Sequence, residues 1–168
     1  SGLRDCAKVY GRIIHGQVTA ADDHRKLMSR LNNTMLQLRS LMPSVSKEVR
    51  ISMVELDAIQ GHFRMCLSTL EILANIRPAD IDGLAGAEWK ERLDAEYRQT
   101  RRQLVGMARA LQTGATERLQ RTSETTLPEP MAALPSELTA YHLLMSQLAI
   151  NIDGLQQRLA KTSRRWKF

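Results

Sequence analysis

The sequence has few aromatic residues, few cysteines and no long apolar run. Aromatic residues make up 4% of its 168 residues, so the residue types that favour strands are scarce and an all-β fold is disfavoured. Two cysteines, Cys6 and Cys66, are too few for a disulfide scaffold and have no metal-ligand spacing. We expect both to be small buried residues on helix faces. No window approaches the roughly 18 apolar residues of a membrane span, and the N-terminus lacks a signal-peptide pattern.

The remaining composition is typical of one folded domain. Hydrophobic residues make up 43% and charged residues 25%, with a formal net charge of +6, which is ordinary for a folded protein. We therefore expect a single domain over residues 1–168. The sequence opens with Ser1-Gly2 rather than methionine, so we interpret it as an excised fragment of a larger protein.

Apolar residues recur in steps of three and four, which predicts five helices. The last one has the most regular series, with apolar residues at Leu138, Tyr141, Met145, Leu148, Ile152, Leu155 and Leu159. The first four predicted helices run from Leu3 to His15, from Thr19 to Met42, from a cap at Ser44 or Ser46 to Ile76, and from Trp89 to Leu119. Pro43 is expected to end the second helix, and the fifth helix begins at Ser136.

Together these elements predict an all-α fold, an elongated up-and-down bundle of four long helices plus a short N-terminal helix. Serines, threonines and prolines concentrate between the last two helices, where neither helix nor strand can be sustained. We expect a mobile loop at residues 120–135.

The motifs of common catalytic and cofactor sites are missing. No Glu-x-x-His or His-Glu-x-x-His spacing is present, which disfavours a ferritin-like metal site, and no glycine pattern forms a phosphate cradle. We therefore predict a protein that is not an enzyme and has no catalytic residues, cofactor or metal.

Some residues allow two interpretations. His62, beside Gly61 and Arg64, is the nearest approach to a phosphorelay histidine, but an ordinary boundary position explains it more simply, as it does for His15, His24 and His142. Met28, Met35 and Met42 share one helix face with leucines, so core filling is favoured over a soft-metal path. Arg98, Arg101 and Arg102 fit a solvated, salt-bridged face better than a nucleic-acid site, because acidic residues lie close by and no aromatics are interleaved.

The C-terminal tail combines cations with aromatic rings, in Arg164, Arg165, Trp166, Lys167 and Phe168. This mixture suits the cytoplasmic edge of a bilayer, where Lys and Arg are retained and aromatic residues settle at the headgroups. A solvated helix end, with cations favoured by the helix dipole, explains the same residues. We predict that these five residues are membrane-proximal.

The sequence resembles the soluble helical domain of the fusaric-acid-resistance and aromatic-acid exporter family. The resemblance rests on the long helices, including the stretch from Leu67 to Leu73, and on this basic and aromatic C-terminal tail. The resemblance implies a domain on the cytoplasmic side of the bacterial inner membrane, between two membrane blocks. It also implies export of small aromatic or organic acids, with the rest of the transporter and a periplasmic adaptor protein as partners.

Our first hypothesis is accordingly a non-enzymatic cytoplasmic domain of such an exporter, which serves assembly or gating. A second is a soluble interaction or sensor module that dimerises through the wide face of the third helix. A third is a bundle that binds a ligand such as an aromatic carboxylate, which Trp89 or Trp166 fluorescence would report. A homo-oligomer is compatible with all three, and we expect no nucleic-acid partner.

Overall fold

The computed structural model describes residues 2–15, 21–76, 87–113, 115, 119 and 135–162. These ranges contain no strand and five α-helices: α1 (Gly2–Ile14), α2 (Ala21–Val49), α3 (Met53–Ile76), α4 (Ala87–Thr113) and α5 (Ser136–Lys161). The all-α prediction is confirmed, with four helices of 24 to 29 residues and a short first helix of 13. The expected loop at 120–135 falls outside the described residues except for Pro135.

The boundary between the second and third helices differs from the prediction. Pro43 does not end α2, which continues to Val49, and the turn follows at Arg50, whose φ of 53° is left-handed. Ser52, rather than Ser44 or Ser46, caps α3, since its Oγ accepts a hydrogen bond from the Glu55 amide at 3.2 Å.

Packing around the turn explains why the helix tolerates the proline. Met42, Ile51 and Leu56 form a small buried cluster apart from the main core, and the Ser46 hydroxyl donates to the Ile51 carbonyl at 2.6 Å. Pro43 itself is exposed, so water can satisfy the carbonyl that loses its intrahelical donor. These tertiary contacts offset the local preference for a break.

The short helix α1 is central to the bundle. It packs against α2, α3 and α4, and α5 closes the ring by packing against α3 and α4. Four α1 side chains have no exposed surface, namely Cys6, Val9, Tyr10 and Ile13. α2 lies across α1 and α3, where buried Gln60 of α3 donates to the Met35 carbonyl of α2 at 3.2 Å. Gln60 thus links the two helices.

The final helix departs from the expected alternation of directions. Glu55 and His62 of α3 meet Arg158 and Gly154 of α5, so these two helices are antiparallel. His142 near the start of α5 instead contacts Glu96 of α4, and Gln156 further along donates to the carbonyl of Leu119, which follows α4. α4 and α5 are therefore parallel and begin at the same end of the molecule.

Most predicted core residues are buried. Six of the seven residues of the α5 series have relative exposures of 2% or less, and Leu159 has 3%. Met28, Met35 and Met42 are buried and fill the core as expected, whereas Leu41 on the same helix is 55% exposed. Among the described helices, none combines the length and apolar character that crossing a membrane requires.

Candidate functional site

An exposed apolar surface runs along the outer side of α3 and α5. We call it the α3–α5 stripe and define it by Val54, Met65, Ile72 and Ile76 of α3 and Leu143 and Ile150 of α5. The exposed fractions of these residues range from 38% for Ile76 to 78% for Val54. A single exposed leucine is ordinary, whereas six large aliphatic residues exposed along one pair of helices indicate an apolar surface.

The contact between His62 and Gly154 fixes how the two rows of the stripe lie relative to each other. Met65 is about one turn after His62, and Ile150 is one turn before Gly154. Because the helices are antiparallel, both residues stand at about the same height along the bundle. By the same reasoning Leu143 is level with Ile72. The stripe is therefore a two-column surface that flanks the groove between α3 and α5.

Charged residues are absent from the part of this surface between Met65 and Ile76, whereas exposed Lys161 follows Leu143 and Ile150 on the same face of α5, about level with Val54. The exposed charges in the interior of α3, Asp57, Arg64 and Glu71, recur every seven residues beside Gln60, on the side that contacts α2. On α5, no Asp, Glu, Lys or Arg occurs from Leu138 through Ile152. Glu55 and Arg158, near one end of the stripe, pair with each other at 3.3 Å. Depletion of charge is a compositional signature of protein–protein interface cores.

A second polar cluster lies between α4 and α5. His142 Nε2 and Glu96 Oε1 are 3.0 Å apart, with 13% and 27% of their side chains exposed, and the Trp89 ring stands 6.1 Å from the imidazole centroid. A histidine–carboxylate pair can act as a general base when it activates a nucleophile. Ser146 lies one turn after His142 on α5, and its buried Oγ has no hydrogen-bond partner among the described residues. The pair therefore joins α4 to α5 without forming a triad.

The tyrosines gather beside this pair. Tyr10 of α1 and Tyr97 of α4 pack edge to face with centroids 5.1 Å apart, and His15 lies 5.4 Å from Tyr97. Burial, followed by the nearby Tyr141 and Glu96, raises the pKa of the Tyr10 phenol well above its ordinary value. Tyr10 therefore stays protonated at physiological pH and cannot serve as a base. Its place is in the core, where aromatic edge-to-face pairs stabilise helix packing.

His62 occupies the boundary between core and solvent, as the simpler of its two interpretations predicts. Its ring lies against α5 at Gly154, where an added Cβ would stand 2.7 Å from the imidazole Cε1. Burial and then the positive charge of Arg158 lower its pKa from 6.5. A phosphoryl group on His62 would have to displace the ring from this packed position, so the geometry gives the phosphorelay interpretation no support.

The two cysteines are buried, as predicted, and neither is part of a disulfide. Burial raises the pKa of the Cys66 thiol to about 12, and burial together with Cys66 and Asp5 raises the pKa of Cys6 still further. The raised pKa values disfavour the thiolate that nucleophilic or metal chemistry requires. Within the described ranges, no three His, Cys, Asp or Glu side chains are grouped in a way that could hold a metal ion.

Of the remaining candidate site residues predicted from the sequence, some lie within the described residues and others lie outside them. Arg98, Arg101 and Arg102 are exposed on α4, and Arg98 Nε donates to the Asp94 carbonyl at 3.1 Å within its own helix. The membrane-proximal residues predicted from the tail, Arg164, Arg165, Trp166, Lys167 and Phe168, lie outside the described residues, and their role stays a prediction.

Sequence reasoning missed the α3–α5 stripe for a physical reason. Val54, Met65 and Ile72 lie off the main apolar row of α3, and periodicity alone cannot separate a second buried face from an exposed one. One signal was available in the 15 residues from Leu138 to Ile152, which lack Asp, Glu, Lys and Arg on every face of α5. A helix buried on only one side normally carries charges on the other.

Comparisons with known proteins add no relative. No protein-family model matches the chain, and neither a curated protein nor a solved structure is significantly similar to it.

Proposed function

We propose that the chain is a non-enzymatic helical interaction module that docks through the α3–α5 stripe. The observation that carries the proposal is the combination of six exposed aliphatic residues with the absence of Asp, Glu, Lys and Arg from Leu138 through Ile152 of α5. Their exposed area is on the order of 500 Å², near the upper end of what a monomeric protein leaves in one patch. Covering it would stabilise a complex by removing that surface from water.

The exporter family that the sequence resembles would supply a setting for such a module. In that setting we propose that the bundle is a domain on the cytoplasmic side of the inner membrane, where it assembles or gates an exporter of small aromatic or organic acids. Its partners would be the rest of the transporter and a periplasmic adaptor. The sequence that flanks the chain in its gene tests this setting. Hydrophobic membrane blocks on both sides are expected, and open frames without any such block would contradict it.

Site-specific photo-crosslinking in the native cell tests the docking role. A photoreactive residue at Leu143, in the stripe, should give a discrete adduct whose composition mass spectrometry identifies. The matched position is Leu36 of α2, which is 66% exposed against 62% for Leu143 but lies outside the stripe. We expect no equivalent adduct there. Absence of a discrete adduct at both positions, or equal labelling at both, would refute a docking role for the stripe.

A further inference from the structure

We propose that the outer face of α1 and α4 binds the anionic headgroups of a phospholipid bilayer. We call it the α1–α4 basic face and define it by its exposed cations, namely Arg4, Lys8 and Arg12 of α1 and Arg98, Arg101, Arg102 and Arg109 of α4. This face is separate from the α3–α5 stripe, because α1 and α4 form the edge of the bundle opposite α3 and α5.

A close contact between the two helices brings their basic rows side by side. Gly11 of α1 lies against Tyr97 of α4, where an added Cβ would stand 2.8 Å from the phenolic oxygen. Arg4 and Lys8 precede Gly11 by seven and three residues and therefore share its side of α1. Arg101 follows Tyr97 by one turn and shares its side of α4. These three cations thus stand on both sides of the line along which the helices meet.

Helix direction places the two basic rows at the same height. At its start α1 contacts Phe63 of α3 through Gly2, and Phe63 adjoins the residue of α3 that meets Gly154 of α5. Gly154 lies toward the end at which α4 and α5 finish. α1 therefore starts near the end of α4 and runs antiparallel to it. The cations of α1 all precede His15, which packs on Tyr97, so they lie alongside the part of α4 that follows Tyr97.

Acidic residues are scarce on this face. α4 has none from Tyr97 through Thr113, and Asp94, one turn before Arg98, marks the border of the face. The one acidic residue of α1 is Asp5, which lies 3.9 Å from Lys8. No ion pair within the described ranges involves the other cations of α1 or the four arginines of α4. The chain itself therefore leaves most of this positive charge uncompensated, and the face attracts an anionic surface.

The shape and composition of the face fit a bilayer better than a nucleic acid. The cations extend about 16 Å along α4, and packed helix axes lie about 8–10 Å apart, so the face is broad and shallow and has no ridge that could enter a groove. No aromatic residue occurs among residues 98–113 of α4, so bases have nothing to stack on there. Clusters of roughly four to eight Lys and Arg on a helix are typical of binding to anionic lipids. Arginine suits their phosphates, because its guanidinium can donate to two oxygens at once.

Co-sedimentation of the purified chain with vesicles tests lipid binding. At low ionic strength we expect the chain to bind vesicles of phosphatidylglycerol and phosphatidylcholine in equal parts, but not vesicles of phosphatidylcholine alone. Arg101→Gln with Arg102→Gln should weaken binding by about tenfold or more, because each cation near the surface contributes roughly fivefold. The matched control, Arg39→Gln with Arg64→Gln, removes the same charge from exposed positions of α2 and α3. It should weaken binding by no more than about threefold, since these charges are distant from the bilayer and screened.

A fluorophore on an introduced cysteine tests which side of the bundle faces the bilayer. Gly106→Cys lies one turn after Arg102, with open space around the added Cβ. Its fluorophore should be quenched by vesicles that carry a quencher on their headgroups. A fluorophore at Leu143→Cys, on the opposite edge of the bundle, should be quenched much less. The native thiols do not interfere because both are buried.

The outcomes separate the lipid site from its alternatives. No binding to the anionic vesicles at low ionic strength would overturn it, as would equal weakening by the two pairs of substitutions. Unchanged binding after Arg101→Gln with Arg102→Gln would assign the membrane contact to the C-terminal tail and would also overturn it. Tighter binding to double-stranded DNA than to the vesicles, lost in the same variant, would assign the face to a nucleic acid instead. None of these results bears on the cellular adduct at Leu143, so the docking proposal stands or fails separately.

Discussion

The imidazole of His62 in α3 lies against Gly154 of α5, in space that a larger side chain at that position would fill. A Cβ at Gly154 would stand 2.7 Å from the imidazole Cε1 and 3.1 Å from Nδ1, so glycine permits the ring to lie against α5. This contact sets the level of the two helices relative to each other and thus the alignment of the two columns of the stripe.

Glycine-to-alanine substitutions should distinguish the effect of this contact on stability from the effect of helix propensity. Gly106→Ala in α4 has open space around its new Cβ and should raise the free energy of unfolding by up to about 1 kcal/mol. Gly154→Ala should gain less or lose stability, because the imidazole must move. In a His62→Ala background, Gly154→Ala should recover the gain, giving a coupling free energy of about 0.5 kcal/mol or more. Urea denaturation of the four variants measures it, and additive effects would contradict the contact.

Stability should depend on pH through His62. Its pKa is lowered in the folded chain by burial and by Arg158. Well above pH 6.5 the imidazole is neutral in both the folded and the unfolded chain and contributes no pH dependence. As the pH falls below 6.5, the unfolded chain takes up the proton first, so the free energy of unfolding decreases until the pH passes the lowered pKa. Comparing His62→Gln with the parent chain by denaturation between pH 5 and pH 8 isolates this effect. Parallel profiles for the two proteins would rule it out.

Thiol reagents should not reach Cys6 and Cys66 in the folded chain. Both thiols are buried and their pKa values are raised, so access and thiolate formation are limited together. We expect labelling by an aromatic disulfide reagent to proceed at the rate of unfolding and to become fast in denaturant. Leu36→Cys, at an exposed site, supplies the control thiol that reacts at once. Immediate reaction of all three cysteines would contradict the burial of Cys6 and Cys66.

Removing Pro43 should stabilise the protein. A proline in a helix interior costs about 3 kcal/mol, and its restriction of the unfolded chain returns up to about 1 kcal/mol. Pro43→Ala should therefore raise the free energy of unfolding by roughly 2 kcal/mol, if α2 continues to Val49 as the structure has it. Pro135→Ala is the comparison, since Pro135 lies just before α5 with a φ of −52°, which suits proline, and its removal should bring no gain. Equal effects of the two substitutions, measured by chemical denaturation, would count against an interior position for Pro43.

How well the sequence predicted the ends of a helix depended on what stabilises that helix. α5 could be predicted from its start at Ser136 through its whole buried series, because one face supplies all of its core contacts. The end of α2 could not, since the predicted stop at Pro43 follows local backbone preference, whereas the cluster of Met42, Ile51 and Leu56 carries the helix further. Local rules fail here because packing free energy exceeds the local penalty.

The sequence by itself determined that this protein is helical, that its core is aliphatic with buried thiols, and that its longest uncharged stretch lies in α5. These are properties of residue types and their spacing along one helix. Only the tertiary structure decided that α5 runs parallel to α4 and antiparallel to α3, and that Met65 and Ile150 therefore lie at about the same level along the bundle. The physical reason is that each amphipathic helix specifies which of its faces is buried, while the choice of neighbour and direction depends on how all five helices share one core.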